Sequence, residues 1–309
     1  MRLGLALPQY GSFTEPRQAL EVAIAAEALG YDSLWVGDRI MIPEQPRDRY
    51  PGGDGSIPPG YRVFLDPLVT LTIAAGVTER VRLSSSTLNA LWTPPIMLAR
   101  SLASLDRFSA GRLDIGLGLG WSRDEYQAVG VPWAGRGARL EETLDVFDAV
   151  WADGDVIEHT GKLWTVPAGA IGSKPVQRPR PPILLAGFSP AALERVGRRG
   201  DGWLGVGLPV PVLTGAWTTI CAAAAAAGRD ASALRLTVRT NPIFTETPAA
   251  ADAVPRSGTF EQFIDYVRAA GDAGVDELMI DLQQTTTTTA ELLERAQQII
   301  EALRLGELR

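Results

Sequence analysis

Apolar positions along this chain change their period in a regular order. Residues 2–7 (RLGLAL) and 32–37 (DSLWVG) read as short strands. Between them, residues 15–30 carry apolar side chains at three- and four-residue spacing, the pattern of a helix with one buried face. Pro16 falls in the first turn, where its missing N–H would have no partner anyway, and Gly30 follows the last periodic residue as a left-handed cap. The same reasoning predicts helices over 66–77, 95–108, 140–151, 190–199, 212–228, 259–274 and 290–303. Strands fall between them at 81–88, 112–118, 182–186, 202–206, 234–240 and 277–282.

Eight strands alternating with eight helices imply right-handed crossovers and a parallel sheet, and eight such units favour a closed (β/α)8 barrel over an open sheet. All 309 residues then form one domain, although length alone would allow two of roughly 150 residues. Two stretches interrupt the rhythm. Residues 43–61, rich in proline and glycine, follow the second strand and so lie on the face where barrel active sites are built. They form either a lid or a loop with no fixed structure. Residues 153–181 precede the fifth strand, start from the opposite face and suggest a hairpin around EHTGKLWTV. The threonine run 285–289 reads as a solvated turn opening the last helix.

Composition narrows the function. The chain is 46% hydrophobic and 21% charged, ordinary for a globular protein with a sizeable core. A net charge of −7 without a basic stripe argues against nucleic acid. No apolar run approaches the roughly 18 residues of a membrane span. The opening MRLGLALPQYG meets Pro8 too soon for a signal peptide, so the chain reads as cytoplasmic. A single cysteine, Cys221, and a single histidine, His159, leave no disulfide or histidine-rich metal centre. Cys221 reads as packing and His159 as a solvated loop residue.

Strand ends on the active face bring together Gln9, Asp38, Arg39, Ser86, Thr87 and Asn89, then Gly118, Gly120 and Trp121, then Gly187, Phe188 and Ser189, with Gly207, Asn241 and Gln283 closing the ring. This set is poor in acids, bases and nucleophiles, and rich in glycine, hydroxyls and aromatic rings. It suits a flat, polyanionic cofactor that brings its own reactivity. GLGLGW, Gly116 to Trp121, is not a dinucleotide fingerprint, because the third glycine would fall on Trp121. Either Gly118 and Gly120 let a planar ring approach the backbone, or they form a tight strand exit. In AGFSPAALERV, Ser189 and Pro190 open a helix whose free N–H groups face the barrel mouth, a site for phosphate.

GYDSLWVGDR (30–39), LARSLASLDRFSAGRLDIGLGLGW (98–121), DEYQAVGVP (124–132) and KPVQRPRPPILLAGFSPAALERVGRRGDGW (174–203) resemble the luciferase-like flavin and deazaflavin oxidoreductases. The likeness runs through nearly the whole chain and is greatest to the branch that uses coenzyme F420. It implies a non-proline cis peptide at Ser86–Thr87 behind the cofactor ring. It also implies a phosphate-holding turn at Gly187, Phe188 and Ser189. Arg136 or Arg139 would reach the cofactor phosphate, although either can instead pair with Glu141 or Glu142. Trp92, Trp121 and Phe188 would wall the ring and the substrate pocket, whereas Trp35 and Trp151 would pack. A homodimer is implied as well.

Two departures bear on the reaction. The branch's dehydrogenases commonly carry Asp-His after strand two, where this chain has Asp38–Arg39, and its sugar-phosphate enzymes carry a glutamate where this chain has Trp121. Arginine is no base at neutral pH, which argues against alcohol oxidation. Arg39 would stabilise developing negative charge, or pair with Asp38, Glu44 or Asp48. The expectation is hydride transfer between reduced F420 and a small apolar or unsaturated substrate, with Asp38 and Arg39 in the chemistry and no metal. The alternatives are an FMN-dependent monooxygenase on the same barrel, or a non-catalytic barrel that binds flavin or partners an active one.

Overall fold

Strand periodicity in this chain sorts apolar side chains outward, and that sorting closes the sheet. The computed structural model describes residues 1–251 and 253–307. Its barrel strands are β1 (Arg2–Ala6), β2 (Ser33–Val36), β3 (Arg82–Ser85), β4 (Leu113–Gly118), β5 (Ile183–Ala186), β6 (Gly202–Val206), β7 (Arg235–Thr240) and β8 (Glu277–Ile280). Each pairs in parallel with its neighbours, and β1 against β8 together with β3 against β4 closes the ring. The helices are α1 (Pro16–Leu29), α2 (Pro67–Val77), α3 (Pro95–Phe108), α4 (Arg136–Trp151), α5 (Pro190–Arg199), α6 (Val210–Ala226), α7 (Phe260–Asp272) and α8 (Thr289–Glu307). This is the expected (β/α)8 barrel.

Leu34, Leu83, Ile115, Leu185, Val238 and Leu278 point outward and bury against the helices in one continuous core. Ala6, Trp35, Leu184, Leu204 and Met279 point inward and form a separate plug across the lumen. Beneath the plug the inward positions are charged. Arg82 and Arg235 both bond Asp114, at 2.6 and 3.0 Å, and Arg2 reaches Glu277 at 3.1 Å. Burial pushes the Asp114 carboxyl up, but hydrogen bonds from the two guanidiniums outweigh it and hold the group below its usual range. The N-terminal end of the barrel is therefore filled by side chains, and the mouth lies at the C-terminal ends of the strands.

Five local expectations change. The third strand is not continuous over 81–88: after Ser85 the chain bulges and pairs again only at Leu88–Asn89. A short helix, Arg123–Ala128, stands where no apolar period announced one, and α4 starts a turn earlier than 140. The threonine run is not simply solvated. Thr286 is buried and donates to the Leu282 carbonyl, while Thr287 and Thr288 bond Glu291 at the start of α8. The hairpin in the second insertion forms from Val156–Thr160 and Thr165–Ala170. It folds back along α4, where Glu142 accepts the Leu163 and Trp164 N–H groups. His159 lies in this hairpin, largely covered and 3.8 Å from Glu142, rather than in a solvated loop. Among the described residues, no helix is long and apolar enough to cross a membrane.

Candidate active site

The β3 bulge builds the floor of the mouth. Leu83 and Ser84 lie opposite Leu113 and Asp114, but Leu88 and Asn89 lie opposite Leu117 and Gly118, so β3 carries one extra residue. Ser85 fills the broken ladder with its hydroxyl, which donates to the Gly116 carbonyl at 2.8 Å and accepts the Gly116 N–H at 3.1 Å. The Ser86–Thr87 peptide that follows is cis. Against this bulge stand the glycines of β4. A β-carbon on Gly118 would overlap the Thr87 hydroxyl, and one on Gly120 would lie 2.9 Å from the Asn89 amide nitrogen and 3.8 Å from the Trp92 ring. Gly120 also holds a φ of +61°, which disfavours a side chain there. The Trp92 Nε1 and Asn89 Nδ2 donors beside it are buried without a partner among the described residues.

Asp38 leaves β2 beside this floor. One of its oxygens accepts the Asn89 N–H at 2.9 Å, and the other has no hydrogen bond from the described residues. Burial, with the nearby negative charges of Asp66 and Glu125, pushes its carboxyl up to about 7 against the opposing pull of the Asn89 N–H and Arg39. A group poised there gives or takes a proton near neutral pH. The lack of an Asp-His pair therefore does not leave the mouth without an acid or base.

Arg39 pairs with none of the partners expected from the sequence. It makes a two-pronged bond to Glu125 on the short helix, and its guanidinium lies 4.4 Å from the Trp121 ring centre. Glu125 is only 1% exposed and also accepts the Ile40 N–H at 2.9 Å. Nothing in the polar stretch DEYQ marked this carboxylate as buried. The 43–61 excursion is ordered around the same elements. Arg47 bonds Asp124 at 2.6 Å, Asp48 accepts the Arg123 N–H at 2.8 Å, and the Tyr50 ring meets Trp121 and Tyr61 edge-on.

Across the mouth, Arg239 of β7 was not singled out from the sequence. It donates to the Ser86 carbonyl of the bulge, to Asn241 at 3.0 Å and to Asp281 at 2.8 Å. Asp281 also accepts from Tyr10, Asn241 and the Gln283 side chain. Gln283 in turn accepts the Gln9 N–H at 2.7 Å. Arg239 keeps its proton above the usual range: burial opposes this most, but the Asp281 charge together with Tyr61, Tyr10 and Tyr50 outweighs it. This network ties β1, β7 and β8 to the bulge.

The expected phosphate turn is an open helix start. Ser189 caps α5 by accepting the Ala192 N–H at 3.3 Å, Pro190 occupies the first turn, and Gly187 has a φ of +145° with Ala192 where a β-carbon would stand. Its carbonyl accepts the Trp203 indole N–H at 3.0 Å, and Phe188 remains 47% exposed. Arg195 of α5 lies against Gly137 at the start of α4. There Arg136 stacks over Trp133 at 3.6 Å, and Arg139 donates to the Pro132 and Ala134 carbonyls. Neither pairs with Glu141 or Glu142. Glu141 is taken by Arg195, Arg198 and Arg199, and among the described residues Arg136 and Arg139 make no ion pair.

These features fit a flat ring joined to an anionic tail. The glycines let the bulge pack directly on β4 and so build a close-packed floor against which a planar system would lie, and the α5 start, with two arginines that make no ion pair among the described residues, would meet negative charge.

Residues 2–303 match the family model described as luciferase-like monooxygenase. The uncharacterized protein Rv0953c of Mycobacterium tuberculosis (strain ATCC 25618 / H37Rv) is 34% identical over 246 residues, which is 74% of this chain and 80% of the relative. The monooxygenase RslO1 from Streptomyces bottropensis superposes with a TM-score of 0.79 at 22% identity, covering 99% of this chain and 100% of that one. An F420-dependent secondary alcohol dehydrogenase in complex with an F420-acetone adduct superposes with a TM-score of 0.77 at 18% identity, covering 98% and 99%. At these identities the likeness to the two solved structures is one of fold.

Proposed function

Because this chain belongs to the luciferase-like monooxygenase family, we propose that it is an oxidoreductase moving a hydride between reduced coenzyme F420 and a small, apolar, unsaturated substrate. The observation that carries the reading is Asp38, a buried carboxyl with one oxygen free of hydrogen bonds from the described residues, set beside the floor that the bulge and β4 build. When bound, the reduced deazaflavin supplies the hydride. Asp38 supplies the proton, so that hydride and proton together reduce one double bond. Ser86, Thr87 and Gly118 support the ring from behind. Gly187, Phe188 and Ser189 hold phosphate, and Arg136 and Arg139 meet the tail. Trp92 and Trp121 wall the substrate side.

Two arginines near the phosphate turn that make no ion pair among the described residues favour the long polyanionic tail of F420 over the single terminal phosphate of FMN. Arg39 is already paired with Glu125, so its role is to shape the pocket under the lid rather than to meet substrate charge. The test is a titration of the protein with oxidised F420 and with FMN, followed by tryptophan fluorescence. Tight F420 binding with weak FMN binding supports the reading. The reverse order moves the assignment to an FMN monooxygenase and makes oxygen uptake the next assay. Binding of neither rejects both.

A further inference from the structure

Asp38 and Arg39 stand side by side with opposite charges and make no ion pair with each other. Arg39 is turned away to Glu125, which lies 86 positions along the chain, and the two-pronged geometry satisfies both prongs of the guanidinium. The same carboxylate takes the Ile40 N–H, so the backbone at the root of the lid is fixed together with the side chain. Glu125 is sealed on its short helix, where the Ser122 hydroxyl accepts its N–H at 3.4 Å. A buried carboxylate with this many donors is expensive to leave unpaired, which keeps the arrangement from relaxing.

We propose that Glu125 is a positioning residue: it holds Arg39 away from Asp38 and so leaves Asp38 able to carry the proton of the reaction. This rests on the proton-donor role given above. The surroundings of Asp38 favour the neutral acid. From α2 it faces the carboxylate of Asp66, from the short helix that of Glu125, and from its own strand exit the guanidinium of Arg39. Only the Asn89 N–H and Arg39 favour the charged form, and Arg39 is engaged elsewhere. Across the lumen the charge of Arg239 is met by Asp281. Releasing Arg39 would place a mobile cation beside Asp38 and convert it to a permanent carboxylate.

The experiment follows the Asp38 carboxyl directly, by carbon NMR of protein labelled at aspartate, with Asp38→Asn identifying the signal. In Glu125→Gln the titration midpoint should fall by one pH unit or more, a tenfold loss of proton affinity. In the double variant Arg39→Gln/Glu125→Gln, which replaces the ion pair by an amide pair and guards against misfolding of the single variant, the midpoint should return to within half a unit of the parent. A midpoint that drops by less than one unit in folded Glu125→Gln, or that stays low in the double variant, overturns the proposal. Turnover separates the two claims. If the carboxyl shifts as stated but the pH profile of F420 oxidation does not move with it, the positioning role stands and the proton-donor role falls.

Discussion

The carbonyl oxygen of Ser85 occupies the space where a β-carbon on Gly116 would stand. Backbone, not a mobile side-chain tip, makes this contact, and the Ser85 hydroxyl fixes it with two further bonds. Gly116→Ala must therefore push β3 and β4 apart where the sheet closes. It should cost about 3 kcal/mol, at the upper end of what overpacking a core brings, and lower the thermal midpoint by several degrees. An unchanged midpoint would show that the closure is softer than the geometry implies.

Gly118 offers the contrast. A β-carbon there meets the Thr87 hydroxyl, which can turn aside. Gly118→Ala should fold with a thermal midpoint close to the parent, but raise the F420 dissociation constant at least tenfold by displacing the Thr87 side chain that would support the ring. Equal affinity in calorimetry would place the ring elsewhere.

Asp38 links activity to stability with opposite signs. Its carboxyl is pushed up to about 7 in the folded chain, against about 3.9 in an unfolded one. Between those values the native state holds the extra proton, so the Asp38 contribution to stability is fully present below about pH 4 and is lost as pH rises through 7. Asp38→Asn removes that penalty. The variant should match the parent at pH 4 and exceed it at pH 8 by about 2 kcal/mol, after allowing for partial solvent screening. Turnover should drop at least about a hundredfold, the usual weight of a general acid. Urea unfolding at the two pH values checks the first statement and stopped-flow oxidation of reduced F420 the second.

Arg136 and Arg139 should weaken F420 binding when removed singly, each by about tenfold, as expected for a charge-assisted hydrogen bond. Arg136→Ala forfeits its stacking on Trp133, while Arg139→Ala also leaves the Pro132 and Ala134 carbonyls unmet at the entry to α4. The second should therefore lower the thermal midpoint more than the first. Binding of FMN should respond less than binding of F420, which separates tail contacts from ring contacts in one set of titrations.

The barrel was legible because its strands and helices differ in period and its breaks fall at Pro and Gly. Pro16, Pro67, Pro95 and Pro190 each stand in the first turn of a helix. Alternation in LRLTVRT was legible as well, but its faces were not. Arg235 and Arg239 bond acidic residues within the lumen, while Leu236 and Val238 pack against helices, the reverse of a sheet with one wet face. That inversion hid the Arg239–Asp281 pair. Glu125 was hidden for another reason. A six-residue helix has no apolar stripe to announce it, and a carboxylate in DEYQ looks solvated until a guanidinium 86 positions away closes over it.

The filled lumen has a kinetic consequence. Trp35, Leu184, Leu204 and Met279 fill the lumen with an ionic layer below them, so reactants bound as proposed would enter and leave by the C-terminal mouth, where Tyr50 packs on Trp121 and Tyr61. On the proposed function that shape would enforce queueing: the molecule lying deeper would arrive first and depart last, and protons exchanged with bulk water would share the passage used by the reactants.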